Sequence, residues 1–458
     1  VNPGGLSALT KPEVKFASCN GIQVAYQVFG KGPVTLVLTP WSMSHLDYCW
    51  SEPGYRRFLE SLGSFAKVAV FDKRGTGLSD RKAAPPSLEE RVDEIIAVMD
   101  AAGLKDAVLV GASAGAPSAI LFAATHPSRT RGLALIGPAA RGKRSRDYPW
   151  APTEEQYEAS FRWAKKSWGS REWEDRAVLV LAPSRAGDAV FTRWLSEMRR
   201  AGASQETNMA LARFDMETDV TGILSAVAVP ATVISVVGDR SSELGEGKYI
   251  ADRIPGAHLV ELSGVDHMFF ADVDLADKVA AELKRFSREA APGDAPQSPL
   301  VILVSTGIVD QAKRAAKAGE ARWNAIIERH DALVRDEAQK NGGKEVKGGG
   351  GEFLVSFDGP VRGLRFAWAV VHAGKELDID LRAGACAAQL GTGPSDDATA
   401  SAQFAAAVRD SAGKGAVMTT SGVKDLANGA PVTFRERGER KLKGTPHKAT
   451  LYSVERLQ

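Results

Sequence analysis

Short, near-continuous apolar runs recur through the first half of the chain, at residues 34–38, 68–71, 107–110, 133–136 and 231–237. Strands buried on both faces of a parallel sheet read this way, because neither face alternates with solvent. Between the second and third runs the spacing predicts a helix. Ser87 serves as N-cap with Glu90 three residues on, Val92, Ile95, Ile96 and Met99 share one face, and Gly103 is the stop. Strands alternating with helices over residues 21–285 predict an α/β fold with a doubly wound sheet. The rhythm breaks at about 141–220, where charged helical stretches hold five of the nine tryptophans. An aromatic-rich insertion of this kind predicts a helical cap over the C-terminal ends of the strands. Most of its indoles are expected to be packing area, with Trp150, Trp163, Trp168 and Trp194 as candidates to line a pocket.

Residues 287–299 are rich in Pro, Ala and Ser without periodicity and read as a linker. A second αβ unit follows over 300–458, with strands expected at 301–304, 353–357, 379–381, 417–420 and 450–454 and a helix at 322–339. The basic run at 435–448 is interleaved with Glu436 and Glu439 and reads as a solvated β-ribbon. The first unit spans residues 1–286.

A length of 458 residues suits this two-domain division. A formal net charge of +2 gives no sign of a nucleic-acid or membrane partner, and no apolar run approaches a bilayer span. Val1 to Thr10 lacks the basic and apolar regions of a secretion signal. Cys19, Cys49 and Cys386 are scattered without metal or redox spacing, so they read as reduced thiols of a cytoplasmic protein.

Chemistry enters at Gly111-Ala112-Ser113-Ala114-Gly115, between an apolar strand and a helical stretch at 116–124. Small residues flanking a serine on a strand-to-helix turn are the signature of a nucleophile elbow. A serine hydroxyl needs a base, and the base needs an orienting carboxylate. On such a sheet the partners follow in the order serine, acid, histidine. Asp239 ends the strand at 231–237, and His267 follows the next strand at 259–262. Ser113, His267 and Asp239 are therefore the expected triad. Asp266 is the rival acid, disfavoured because adjacent residues point apart. The oxyanion hole is expected to use the N–H of Ala114 and one from Trp41 or Ser42, after the strand at 34–38. His45, in the same loop, is a further pocket candidate, although a structural hydrogen bond suits it better.

With those residues in view, residues 15–286 resemble a serine α/β-hydrolase with a helical cap, through Phe71-Asp-Lys-Arg-Gly-Thr-Gly-Leu-Ser79, the elbow, Gly238-Asp239 and Asp266-His267. The family usually has glycine where this chain has Trp41. The whole chain is similar to α/β-hydrolases fused to a class III adenylate/guanylate cyclase domain of ferredoxin-like fold. That resemblance implies metal-binding aspartates at Gly307 and Gly351, and a transition-state arginine and its partner at Ala407 and Gln403. All four are replaced, so the resemblance implies a degenerate cyclase. Lys347 and Asp396 match its purine-recognition positions and are expected to be relics. Cyclase domains of this kind pair, which implies a homodimer. Gly348 to Gly351 lacks the Lys-Ser/Thr of a P-loop.

The sequence thus predicts a cofactor-free and metal-free serine hydrolase acting on a small-molecule acyl substrate of medium or bulky apolar character. A carboxylic ester is the first expectation, with lactone and amide as alternatives. A receptor or scaffold with an idle triad is a reading from another class, and a working cyclase is disfavoured. Epoxide hydrolases and haloalkane dehalogenases are disfavoured because they carry aspartate at the elbow.

Overall fold

Two compact units, Val1–Ala295 and Pro296–Gln458, divide the chain. The structure, a computed structural model, describes residues 10–81, 86–290, 299–389, 396–443 and 448–457. Most of the expected linker, 291–298, and the segment 1–9 lie outside the described residues. The helix Val273–Glu289 extends into the stretch assigned to the linker, carried by Leu283 and Phe286, which it buries.

The first unit is built on eight strands: β1 (Lys15–Cys19), β2 (Ile22–Phe29), β3 (Val34–Thr39), β4 (Ala66–Phe71), β5 (Ala107–Ala112), β6 (Thr130–Ile136), β7 (Ala231–Val236) and β8 (His258–Leu262). Their order is β1-β2-β4-β3-β5-β6-β7-β8, antiparallel at β1-β2 and β2-β4 and parallel from β4 onward. The parallel strands match the apolar runs, and β5 and β7 are buried nearly throughout. β1 and most of β2 carry no such run: β1 is an edge strand with alternating exposure, and β2 carries Gln23 and Gln27. The helix Leu88–Ala101 starts on the expected box, Ser87 accepting from the Glu90 N–H while Glu90 returns to the Ser87 N–H at 2.8 Å.

Between β6 and β7 lie four helices, Glu154–Ser167, Arg171–Leu181, Ala189–Gly202 and Gln205–Glu217. Thr153, Ser170, Asp188 and Ser204 cap them, which fixes four helix starts inside a segment with little apolar periodicity. Aromatic and cationic side chains pack together here. Trp168 meets Trp173 at 4.5 Å between ring centroids, and Arg199 lies 3.6 Å over the Trp173 ring. The charged texture of the segment is thus partly consumed in cation–π packing.

The second unit holds β9 (Leu300–Ile308), β10 (Lys344–Gly349), β11 (Glu352–Phe357), β12 (Leu381–Gln389), β13 (Val417–Thr420), β14 (Val432–Lys441) and β15 (Lys448–Leu457), ordered β10-β11-β9-β12-β13-β15-β14. The β14-β15 pair is the ribbon expected from the basic run. The strand expected at 379–381 begins only at Leu381 and runs on to Gln389. Its Ala- and Gly-rich sequence hides it, because small side chains let the helix Asp396–Asp410 approach its backbone. The helix Glu320–Lys340 precedes β10, and the helix Pro360–Ala373 joins β11 to β12.

Candidate active site

The elbow is a packing requirement before it is a chemical one. Ser113 has φ +50°, in the left-handed region that side chains avoid, at the start of the turn Ser113–Gly115. A Cβ on Gly115 would meet the Thr39 carbonyl oxygen at 2.6 Å, and one on Gly111 would meet the Ala119 Cβ at 2.9 Å. The small flanking residues therefore let the turn press against the end of β3 and the helix Ala116–Thr125. Thr39 Oγ1 donates to the Gly115 carbonyl at 2.9 Å and ties the two elements.

Three chain segments converge on the serine. His267 Nε2 lies 2.8 Å from Ser113 Oγ, and His267 Nδ1 lies 2.7 Å from Asp239 Oδ2. Asp239 Oδ1 accepts from the N–H groups of Ser241 at 2.7 Å and Ser242 at 3.2 Å, so the carboxylate is fixed at both oxygens. Asp239 is buried at the end of β7. Asp266 turns away from the histidine. Its oxygens accept from Ser184 N at 2.9 Å and Ser184 Oγ at 2.5 Å, holding a cap turn to the loop after β8.

Two cavities open beside Ser113 and His267. The larger, of about 250 Å³, is lined on one side by Ser42 and Ala114. The smaller, of about 60 Å³, is lined by Trp41, Ser42, Met43, Leu195, Met198 and Met268. Trp41 places its indole against Phe270 at 5.3 Å and Tyr55 at 5.8 Å, so its bulk is absorbed by core aromatics.

The other pocket candidates line neither cavity. Trp194 donates to the Tyr48 carbonyl at 3.0 Å and packs on Phe191. Trp150 and Trp163 line a separate, shallow depression, and Trp168 is spent on Trp173. His45 precedes the short helix Leu46–Cys49, buried edge-on to Tyr48, and burial lowers its imidazole pKa. Cap aromatics are large enough to be claimed by packing first.

The larger cavity is mixed: Phe71, Leu88 and the cap aromatics Tyr157 and Phe214 give it apolar walls, and charged side chains join them, which the sequence did not lead one to expect. Lys73, Arg91, Arg141, Glu94, Asp215 and Glu246 reach it, Arg141 being paired with Asp219 at 3.2 Å. Burial pushes the Lys73 ammonium down to about 7 and the Glu246 carboxyl up to about 7, and raises that of Asp215. Sequence reasoning quoted Lys73 only as part of a motif. The available signal was a lysine two residues after a buried strand, with Arg91 and Glu94 three apart on the following helix.

In the second unit, Gly307 lies on β9 opposite Glu352 of β11, and the Gly351 carbonyl accepts from Ile308 N at 3.3 Å. Gly351 has φ +92°. Ala407 is buried and Gln403 exposed on the helix Asp396–Asp410, and Lys347 is exposed on β10. The side chain of Asp396 lies outside the described residues. Arg409, which sequence reasoning missed, is 8% exposed and places Nη1 3.2 Å from Glu352 Oε1 and 3.4 Å from Ser305 Oγ.

Residues 46–272 match the family model of the alpha/beta hydrolase fold. A stretch of 87 residues, 19% of the chain, is 33% identical to the putative carbamate hydrolase RutD of Azorhizobium caulinodans and spans 33% of that protein. Over 249 residues, 53% of the chain, it is 26% identical to the pimeloyl-(acyl-carrier protein) methyl ester esterase of Chromobacterium violaceum, spanning 91% of that protein. The enol-lactonase of Burkholderia xenovorans is similar in fold, with a TM-score of 0.50 and 21% identity over 59% of this chain and 99% of the lactonase. Residues 46–272 carry the alpha/beta hydrolase fold.

Proposed function

We propose that Ser113 is the nucleophile of a serine hydrolase that cleaves a carboxylic ester through an acyl-enzyme. The observation that carries this reading is the continuous relay Ser113 Oγ–His267 Nε2–Nδ1–Asp239 Oδ2, at 2.8 and 2.7 Å, at the mouth of two cavities. Ser113 Oγ attacks the carbonyl carbon while His267 takes its proton. The N–H of Ala114 and one from Trp41 or Ser42 meet the developing oxyanion. His267 then protonates the departing alkoxide oxygen. It next takes a proton from water, whose oxygen attacks the acyl carbon and releases the acid and Ser113. Lactones and amides pass through the same steps. A fluorophosphonate probe and a panel of p-nitrophenyl esters test this. Wild type is expected to be labelled and active, and Ser113→Ala neither. Activity retained by Ser113→Ala overturns Ser113 as the nucleophile, and no turnover of any acyl substrate by wild type overturns the assignment in favour of an idle scaffold.

We further infer that the second unit is a degenerate class III cyclase-like domain serving assembly. β9, β10, β11 and β12 follow one another as β-α-β-β-α-β with the spatial order β12-β9-β11-β10, which fits a ferredoxin-like unit. Gly307 and Gly351 are neighbours there, and a Cβ on Gly307 would meet Arg409 Nη1 at 3.2 Å, so a cation occupies space next to the replaced carboxylate position. Full-length protein is expected to make no cyclic nucleotide from ATP or GTP with manganese, and to scatter light as a dimer. Cyclic nucleotide in the first assay or a monomer in the second overturns the corresponding part. The reduced thiols and ordinary charge favour a cytoplasmic location.

A further inference from the structure

The charged groups of the larger cavity are not equivalent. Glu94 is fully buried and already committed, accepting from Arg74 Nε at 2.7 Å and Arg91 Nη1 at 3.2 Å. Arg91 is thereby held in place with Nη2 left over, buried and without a hydrogen-bond partner among the described residues. Lys73 is 4% exposed and lines the same cavity. Among the described residues its ammonium has neither a hydrogen bond nor an ion pair, and the Asp215 and Glu94 carboxylates act on it only from longer range. A buried lysine without a partner is costly, and a fold retains one most readily where a ligand completes it.

None of the described acidic groups forms an ion pair with the Lys73 ammonium. Asp215 and Glu246 also line the cavity; burial raises both carboxyls and so weakens them as counter-charges, against the pull of Lys73 and Arg91 on Asp215. The second cavity beside Ser113 is small and lined mostly by Trp41, Met43, Leu195, Met198 and Met268, with Arg199 at its wall turned onto the Trp173 ring, so it suits a short group.

We propose that the substrate of Ser113 is an anionic ester whose carboxylate is bound in the larger cavity by the Lys73 ammonium with Arg91 Nη2 beside it, and whose other side is short. The inference rests on the reading of Ser113 as nucleophile and refines it. A bulky apolar substrate would leave the Lys73 ammonium and Arg91 Nη2 without a partner. A carboxylate satisfies both, and charge-assisted hydrogen bonds are the strong ones.

The test uses full-length protein and two matched ester series, each against its uncharged isosteres. Monomethyl succinate, glutarate and adipate carry the carboxylate on the acyl side, and acetoxy-alkanoates carry it on the alcohol side. In one series kcat/KM is expected to exceed that of the neutral isostere by about tenfold to a hundredfold, and Lys73→Met is expected to erase that preference. No preference in either series, a preference for ammonium-bearing esters, or a preference that survives in Lys73→Met overturns the proposal. Lys73→Gln is the second variant, and thermal melts identify whichever of the two is folded. If wild type turns over no ester, the nucleophile reading fails by itself. Calorimetry of monomethyl glutarate, monomethyl adipate and the acetoxy-alkanoates with Ser113→Ala then decides the site. Binding weakened at least tenfold by adding Lys73→Met sustains it, and equal or absent binding overturns it.

Discussion

Asp266 and His267 are adjacent in the chain but serve different partners: Asp266 holds Ser184 of the cap, while His267 is oriented by Asp239 from another strand. The peptide link sends the two side chains opposite ways at the end of β8. The acid that orients the imidazole is 28 residues away, and both of its oxygens are engaged.

Asp239→Asn keeps the shape but alters which ring nitrogen of His267 carries the proton. Its kcat is expected to fall by about 10³–10⁴-fold with KM little changed. Steady-state kinetics on the best ester check this, and a loss below tenfold would remove Asp239 from the relay.

Asp266→Asn separates the rival carboxylates. It weakens two hydrogen bonds to Ser184, so stability is expected to drop by about 1–3 kcal/mol. Its kcat should stay within a few-fold of wild type. Urea titration and kinetics together read both effects, and a loss of kcat matching that of Asp239→Asn would reverse the assignment.

Lys73 carries a stability cost with a definite pH signature. Its folded pKa is pushed down to about 7 from 10.5, so between those values the unfolded chain holds more protons. This contribution to stability rises with pH across that window and is poorest below pH 7. Lys73→Met is expected to melt higher than wild type at pH 6, by about 1–4 kcal/mol, with the gain shrinking toward pH 10. Melting curves over that range test it, and a variant no more stable at pH 6 contradicts the burial cost.

The same group sets a pH dependence for carboxylate binding. Lys73 is faced by Arg91 and Glu94 from the helix Leu88–Ala101 and by Asp215 from the helix Gln205–Glu217, with Glu246 lining the cavity as well. Above pH 7 Lys73 loses its proton, which removes an attraction, and Glu246 gains negative charge, which repels an anion. Affinity of Ser113→Ala for a half-ester is expected to fall about tenfold between pH 6 and 8. Calorimetry at three pH values checks this, and flat affinity counts against Lys73 as the anchor.

Gly384 of β12 tests the second unit alone. A Cβ there would meet Arg409 N at 2.0 Å and Arg409 Cα at 2.5 Å, so strand and helix are in backbone contact. Gly384→Val is expected to destabilise this unit by about 3 kcal/mol. Calorimetric scanning with an ester assay should show a shifted transition while hydrolysis persists. An unshifted scan contradicts the packing.

The chain itself determined the sheet, the elbow and the relay, because each rests on local rules. Doubly buried strands need apolar runs, a serine at positive φ needs small neighbours, and acid and histidine follow in order along the strands. Ser87 and Glu90 marked a helix start for the same local reason. Tertiary structure alone decided what those parts enclose. The cap tryptophans are packed against Arg199, Phe191 and Trp173, whereas Lys73, Arg91, Asp215 and Glu246, far apart in the chain, meet beside Ser113. A side chain's burial and the partners it lacks depend on elements distant in sequence, so no local pattern reveals them. The polarity of a pocket is therefore a property of the fold, even where its elbow serine is written plainly in five residues.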